Sequence, residues 1–177
     1  KADVALMVLG RDVWRLRSFQ TAVAAAGLTV VDSYVSLTEL SEYAQGLPEA
    51  MAQARLYPQL PPEGKPAWCF YPMSKRREPG QNWFTLPYDE REALMREHGS
   101  TGRGFAGRIL QLITGSAGVD DYEWGVTLFA QHPDDLKEVV YKMRFDHASA
   151  VYAEFGPFVT GVVGTVDEVL DAAGVAR

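Results

Sequence analysis

The chain has 177 residues, 47% hydrophobic and 23% charged, with a formal net charge of −6, the balance of a globular protein with enough material for one domain or two small ones. The acidic balance argues against nucleic acid as the main partner, because phosphate binding needs a basic face. No apolar run approaches the roughly 20 residues of a membrane-spanning helix, no signal-peptide pattern opens the chain, and the single cysteine, Cys69, excludes an internal disulfide and fits a reducing, cytoplasmic setting.

In chain order, Val4 to Leu9 is a short apolar run and reads as a buried strand. Arg11 to Ala26 reads as a helix, with Val13, Leu16, Phe19 and Val23 at helical spacing and Gly27 ending it. Leu28 to Leu37 is β-branched and strand-like, and Thr38 to Ala54 is helical in part, with a break at Gly46-Leu47-Pro48. Leu56 to Pro66 carries Pro58, Pro61, Pro62, Gly64 and Pro66 and is the best linker between two halves. The aromatic run Ala67–Tyr71 reads as a strand, and Asp89–Glu97 as a helix with acidic residues in its first turn. Two further strands, Arg108–Thr114 and Glu123–Ala130, flank the turn signal Gly115-Ser116-Ala117-Gly118. A long helix is expected from Asp134 to Glu154, then a strand over Phe158–Val163 and a terminal helix over Asp167–Ala173. This order predicts an α+β fold, with helices on one face of an antiparallel sheet and the pattern repeated in two ferredoxin-like halves, residues 1–66 and 67–177.

Several residues carry chemistry. Tyr71-Pro72-Met73-Ser74-Lys75-Arg76-Arg77 leaves the Ala67–Tyr71 strand and sets an oxidisable phenol beside cations, which suits binding and oxidation of a carboxylate-bearing ligand; a strand end followed by a solvated basic loop is the plainer reading. His98 ends a helix, where the dipole favours a histidine for purely structural reasons, and where a neutral imidazole is also placed to hold a metal. His147 falls on the apolar side of the expected long helix and reads as a core residue or a support for the site; His132, before Pro133, reads as a cap. Gly102-Arg103-Gly104-Phe105-Ala106-Gly107 matches a dinucleotide fingerprint in letters only, since it follows a helix and precedes a strand. Gln111 stands between apolar neighbours and is either solvent-facing or turned to a ligand.

The basic motif, with Asn82-Trp83, Glu97-His98-Gly99, Ile113-Thr114-Gly115-Ser116, Asp120–Phe129, Met143-Arg144-Phe145-Asp146 and Glu154-Phe155-Gly156, resembles the coproheme decarboxylases of the chlorite dismutase family, in the same order and most densely from Arg55 to Gly161. The resemblance implies a dimeric α+β barrel of two ferredoxin-like halves, with haem in the C-terminal one. It implies His98 as the proximal iron ligand and Tyr71 and Lys75 as catalytic residues. Arg55, Tyr34, Met73, Lys75, Trp83, Gln111 and Ser149 would bind the porphyrin, with Arg55 and Ser149 on propionates. Chlorite-splitting members carry arginine where Gln111 stands, so a neutral Gln111 argues against chlorite chemistry. The implied reaction is peroxide-dependent oxidative decarboxylation of two propionates of iron-coproporphyrin III to haem b, in haem biosynthesis. Its partners are coproheme and hydrogen peroxide, in a homo-oligomer, with a pentamer among the assemblies it allows. The other classes left open are a different haem enzyme, such as a peroxidase or chlorite dismutase, and a non-enzymatic haem-binding protein. Lys1-Ala2-Asp3-Val4 resembles an internal strand of the family, so residues 1–66 are expected to be a truncated half whose exposed sheet edge a neighbouring subunit would cover.

Overall fold

A computed structural model describes residues 2–175. They fall into two compact units: one from the chain up to Tyr34 together with the chain from Gly164 onward, the other from Val35 to Val163.

The first unit holds two helices, α1 (Val13–Ala25) and α6 (Val166–Ala172). The Asp12 side chain accepts from the Trp14 amide at the start of α1, and Gly27 follows its end at φ 93°, the left-handed conformation that glycine adopts freely. A reciprocal capping box between Thr165 and Glu168 opens α6. The strand expected over Val4–Leu9 does not form: that run is irregular and mostly exposed. An isolated apolar run cannot satisfy its backbone donors and acceptors as a strand without a ladder partner, and among the described residues it has none.

The strand-like run that starts at Leu28, in the first unit, is likewise irregular, and the second unit has its first strand at Leu37–Thr38 (β1). There follow α2 (Glu49–Leu56), β2 (Ala67–Lys75), a small hairpin β3 (Arg77–Glu78) and β4 (Gln81–Asn82), a single 3-10 turn (Trp83–Thr85), and α3 (Tyr88–Arg103). The hairpin strands β5 (Ile109–Gly115) and β6 (Trp124–Ala130) precede α4 (Pro133–Met143), α5 (His147–Ala150), β7 (Ala153–Phe155) and β8 (Val159–Val162). The main sheet is antiparallel, in the order β1-β5-β6-β2-β7, with β8 also on β2. This is the α+β arrangement that the strand and helix periods predict.

Strand β2 runs past the expected Tyr71 to Lys75 and carries Pro72 in mid-strand. Proline cannot donate to a ladder. Here it stands where β2 changes neighbours, from β8 over Ala67–Phe70 to β7 over Met73–Lys75, and its carbonyl accepts from the Gly156 amide at 2.8 Å. Gly156 is glycine for space, because a Cβ there would lie 2.7 Å from both Pro72 Cγ and Tyr122 Cζ.

Register decides which side chains share a face. Cys69, Leu128 and Gln111 form one cross-strand row, and Tyr71, Val126 and Ile113 the next, on the same side. Helix α4 covers the middle of that side with Leu136 and Val139, burying Cys69, Tyr71, Val126 and Leu128 with Phe105. Helix α3 packs instead on α4 and α5, while Gln111 is exposed and Ile113 is 42% exposed. The β5 end of the helix-side face is thus left open.

The expected helix from Asp134 to Glu154 is broken. Helix α4 ends at Met143, and Asp146 caps a separate short helix, its side chain accepting from the Ser149 amide. An N-cap residue needs extended dihedrals, so a continuous helix cannot pass through it. The break turns His147 outward: it is exposed rather than on the core face, although its ring lies 6.0 Å from that of Tyr152. His132 is the N-cap residue of α4 but its side chain makes no cap bond; Pro133 in the first turn lowers the number of amides to be satisfied.

Candidate active site

His98 lies in the last turns of α3. Its Nδ1 is 3.0 Å from Oδ2 of Asp146, and Ser149 Oγ lies 3.3 Å from both that nitrogen and that oxygen. The other carboxylate oxygen of Asp146 accepts from the Ser149 amide at 2.9 Å. One buried carboxylate thus caps α5 and fixes the imidazole. Burial alone would raise the Asp146 carboxyl; the hydrogen bond and charge of His98, with both Ser149 donors, outweigh it and hold the pKa below the usual value. With Nδ1 donating to Asp146, Nε2 is left as the ring nitrogen able to hold a metal, the arrangement by which a carboxylate sets tautomer and ring orientation.

Tyr71 is 7% exposed, stacked on Phe158 at 4.4 Å between ring centroids and edge-on to Phe155 at 5.7 Å. Burial pushes its phenol far above the ordinary range; Cys69 adds to this and Arg144 opposes it. Met73, two residues on and on the same face, is half-buried against the same core.

Lys75 continues that face and is 8% exposed. Its Nζ donates to the Ala148 carbonyl at 3.0 Å and stands 4.2 Å from the ring centroid of Trp83. Burial pushes its pKa down to about 8, against the opposing pull of Asp146 and Glu123. Buried Glu123 pins the end of β2: it accepts from the Lys75 amide at 2.7 Å and pairs with Arg77. Trp83 is buried with Ala148 and Tyr152, against Leu94 and Met95 of α3.

The structure therefore brings Tyr71, Met73 and Lys75 onto one strand face and ties His98 to Ser149. Ser149 spends its hydroxyl beside Asp146 and His98. Arg55 is exposed in the last turn of α2, with no hydrogen bond or ion pair among the described residues. Gln111 is exposed at the open end of the helix-side face. Tyr34 ends the first unit and is half-buried there. Asp146 is the site residue that the motifs alone did not assign a role; its signal was an aspartate three residues before a serine, the spacing of a helix cap.

The family model described as "Chlorite dismutase" matches residues 1–164. The chain belongs to the chlorite dismutase family. Over 173 residues it is 47% identical to a protein of Staphylococcus carnosus named coproheme decarboxylase, a match covering 92% of this chain and 69% of that one. A solved structure from Thermus thermophilus, titled as a novel haem-binding protein, superposes with a TM-score of 0.83 at 39% identity, over 93% of this chain and 68% of that one. The chlorite dismutase of Candidatus Nitrospira defluvii, solved in complex with imidazole, shares the fold at a TM-score of 0.74 and 21% identity, over 92% of this chain and 68% of that one.

Within that family the residues here fit an iron porphyrin bearing carboxylates. A histidine with one nitrogen tied to a buried carboxylate suits iron, and the open face at Gln111 and Ile113 offers apolar and neutral polar surface. Lys75 and Arg55 are cations of the kind that propionates would require. Among the described residues no helix is long and apolar enough to cross a membrane.

Proposed function

We propose that this chain is an oxidoreductase that decarboxylates iron-coproporphyrin III, converting two propionates to vinyl groups and yielding haem b. The observation that carries this reading is the pair formed by His98 of α3 and Asp146, the cap of α5, in a unit whose strand β2 presents a buried tyrosine and a buried lysine on one face. The S. carnosus relative bears the name of this activity, and the T. thermophilus relative that of a haem-binding protein.

When bound, the iron with hydrogen peroxide supplies two oxidising equivalents for each carboxyl lost. His98 would hold the iron through Nε2. Burial raises the pKa of the Tyr71 phenol further above its ordinary value, so it is protonated, and its oxidation gives up a proton with the electron, both ending on the peroxide as water. The resulting phenoxyl takes hydrogen from the propionate β-carbon, which restores the phenol. Loss of a second electron and of carbon dioxide leaves the vinyl group. Each round consumes one carboxylate, one peroxide and one proton, and gives one vinyl, one carbon dioxide and two waters. Lys75 would orient the reacting carboxylate or serve in proton transfer, and Arg55 would hold another propionate. Neutral Gln111 leaves the open face without the cation that chlorite would need. The enzyme would act in the cytoplasm as a homo-oligomer.

Mass spectrometry of the porphyrin after adding iron-coproporphyrin III and peroxide tests this. The expected series is coproheme, a three-propionate intermediate, then haem b. Oxygen release from chlorite with unchanged coproheme would overturn it.

A further inference from the structure

The unit carries two aromatic clusters of different redox character. Tyr71 is stacked on Phe158 and edge-on to Phe155, rings much harder to oxidise than a phenol, so an oxidising equivalent on Tyr71 does not pass to its aromatic neighbours. Trp83 is the opposite case. It is 3% exposed, and its ring centroid lies 5.4 Å from that of Tyr152, itself 6.0 Å from the ring of exposed His147. An equivalent that reached Trp83 would find an oxidisable neighbour on the way to the surface.

Lys75 stands at the head of that second path. Its Nζ is 4.2 Å from the Trp83 centroid and is fixed by the Ala148 carbonyl. An ammonium is attracted to the face of a neutral indole. It repels the same ring once an electron has left and the ring is cationic. In a site this buried, solvent and salt screen that repulsion little.

We propose that the Lys75 ammonium, held over the Trp83 ring, keeps Trp83 from being oxidised and so directs the site's oxidising equivalents to Tyr71. This rests on the decarboxylase reading for its oxidant, peroxide at the bound iron porphyrin. When the protection is lost, the indole gives up two electrons, water adds to it and two protons leave. The peroxide takes up both electrons and both protons to become two waters. The net result is one oxygen gained on the protein for each peroxide and no vinyl formed.

The test loads the protein with iron-coproporphyrin III, adds limiting peroxide, and measures oxygen gain on the Trp83 and Tyr152 peptides by mass spectrometry, alongside the vinyl product. Oxygen gain should rise on the order of tenfold or more in Lys75→Met, where the charge is gone. Lys75→Gln, which keeps a donor for the Ala148 carbonyl, should do the same and covers the case in which Lys75→Met fails to fold. Lys75→Arg, which keeps a cation over the ring, should show oxygen gain as low as the wild type, whatever vinyl formation it retains. Equal oxygen gain in the wild type and both uncharged variants, whether high or absent, would overturn the proposal. Absence of vinyl product in the wild type, with Trp83 oxidation still dependent on the charge at position 75, would count against the decarboxylase reading alone.

Discussion

The Asp146 carboxylate does two jobs at once: Oδ2 lies 3.0 Å from Nδ1 of His98, and Oδ1 caps α5 through the Ser149 amide. The two roles can be separated. Asp146→Asn keeps an acceptor for the cap but loses the charge that makes the imidazole a strong ligand. Its affinity for iron-coproporphyrin should fall by roughly 10–100-fold, as for other supports of metal-binding histidines, with little change in melting temperature. Asp146→Ala should lose the affinity and in addition about 1 kcal/mol of stability from the missing cap. Absorbance titration and thermal melts check both; wild-type affinity in Asp146→Asn would contradict the assignment.

His98→Ala should lose the spectrum of histidine-ligated iron, whereas His147→Ala should keep it, because His147 is exposed and the Asp146 carboxylate faces His98. Resonance Raman of the iron–histidine stretch distinguishes them. Retention of the band in His98→Ala with its loss in His147→Ala would reverse the ligand.

The charge on Lys75 sets a pH limit. With its pKa pushed down to about 8, the ammonium is present below that pH and lost above it. For the free protein, kcat/KM for coproheme should therefore fall as pH rises through about 8, and Lys75→Arg should carry the activity it retains to higher pH. A propionate bound beside Lys75 favours the charged form, so kcat should fall at higher pH than kcat/KM. The linkage to stability has the opposite sense. The folded-state pKa lies below the ordinary lysine value of 10.5, so the folded chain binds fewer protons between these values and this group adds stability as pH rises across them. A kcat/KM profile flat from pH 7 to pH 10, roughly the span between the ordinary histidine and lysine values, would rule out the role.

Much of this architecture was readable from residue spacing. The aromatic run of β2, the β5–β6 hairpin around Gly115-Ser116-Ala117-Gly118, and the start and end of α1 each carry their own local signal. The misread parts are those where the deciding partner lies elsewhere. Val4–Leu9 has the composition of a strand, but a strand exists only with a ladder partner. The helical spacing of Leu136, Val139, Val140 and Met143 continues to Ala150 and Val151, which hid the interruption at Asp146 and put His147 on the wrong face. The site residues came from family motifs; what the motifs did not reveal was the hydrogen bond that joins two of them, Glu97-His98-Gly99 and Met143-Arg144-Phe145-Asp146, 48 residues apart.

Gly156 and Gly161 make a matched pair for packing at the site. A Cβ at Gly156 would meet Pro72 and the Tyr122 ring at 2.7 Å, whereas one at Gly161 would meet nothing within 4 Å. Gly156→Ala should cost about 1–3 kcal/mol through forced repacking next to Tyr71, and Gly161→Ala should be neutral or slightly stabilising. Chemical denaturation of the two variants checks this. Equal stabilities would show that the Pro72–Tyr122 contact yields without strain.

The central claim is that Tyr71 carries the oxidation of the propionate, and Tyr71→Phe tests it most directly. The ring, its stacking on Phe158 and the fold around it should survive, because only a hydroxyl is removed. The variant should bind iron-coproporphyrin III with near wild-type affinity. After peroxide is added, mass spectrometry of the porphyrin should show all four propionates intact, where the wild type gives haem b. Carbon dioxide release and vinyl formation at the wild-type rate in Tyr71→Phe would contradict the account.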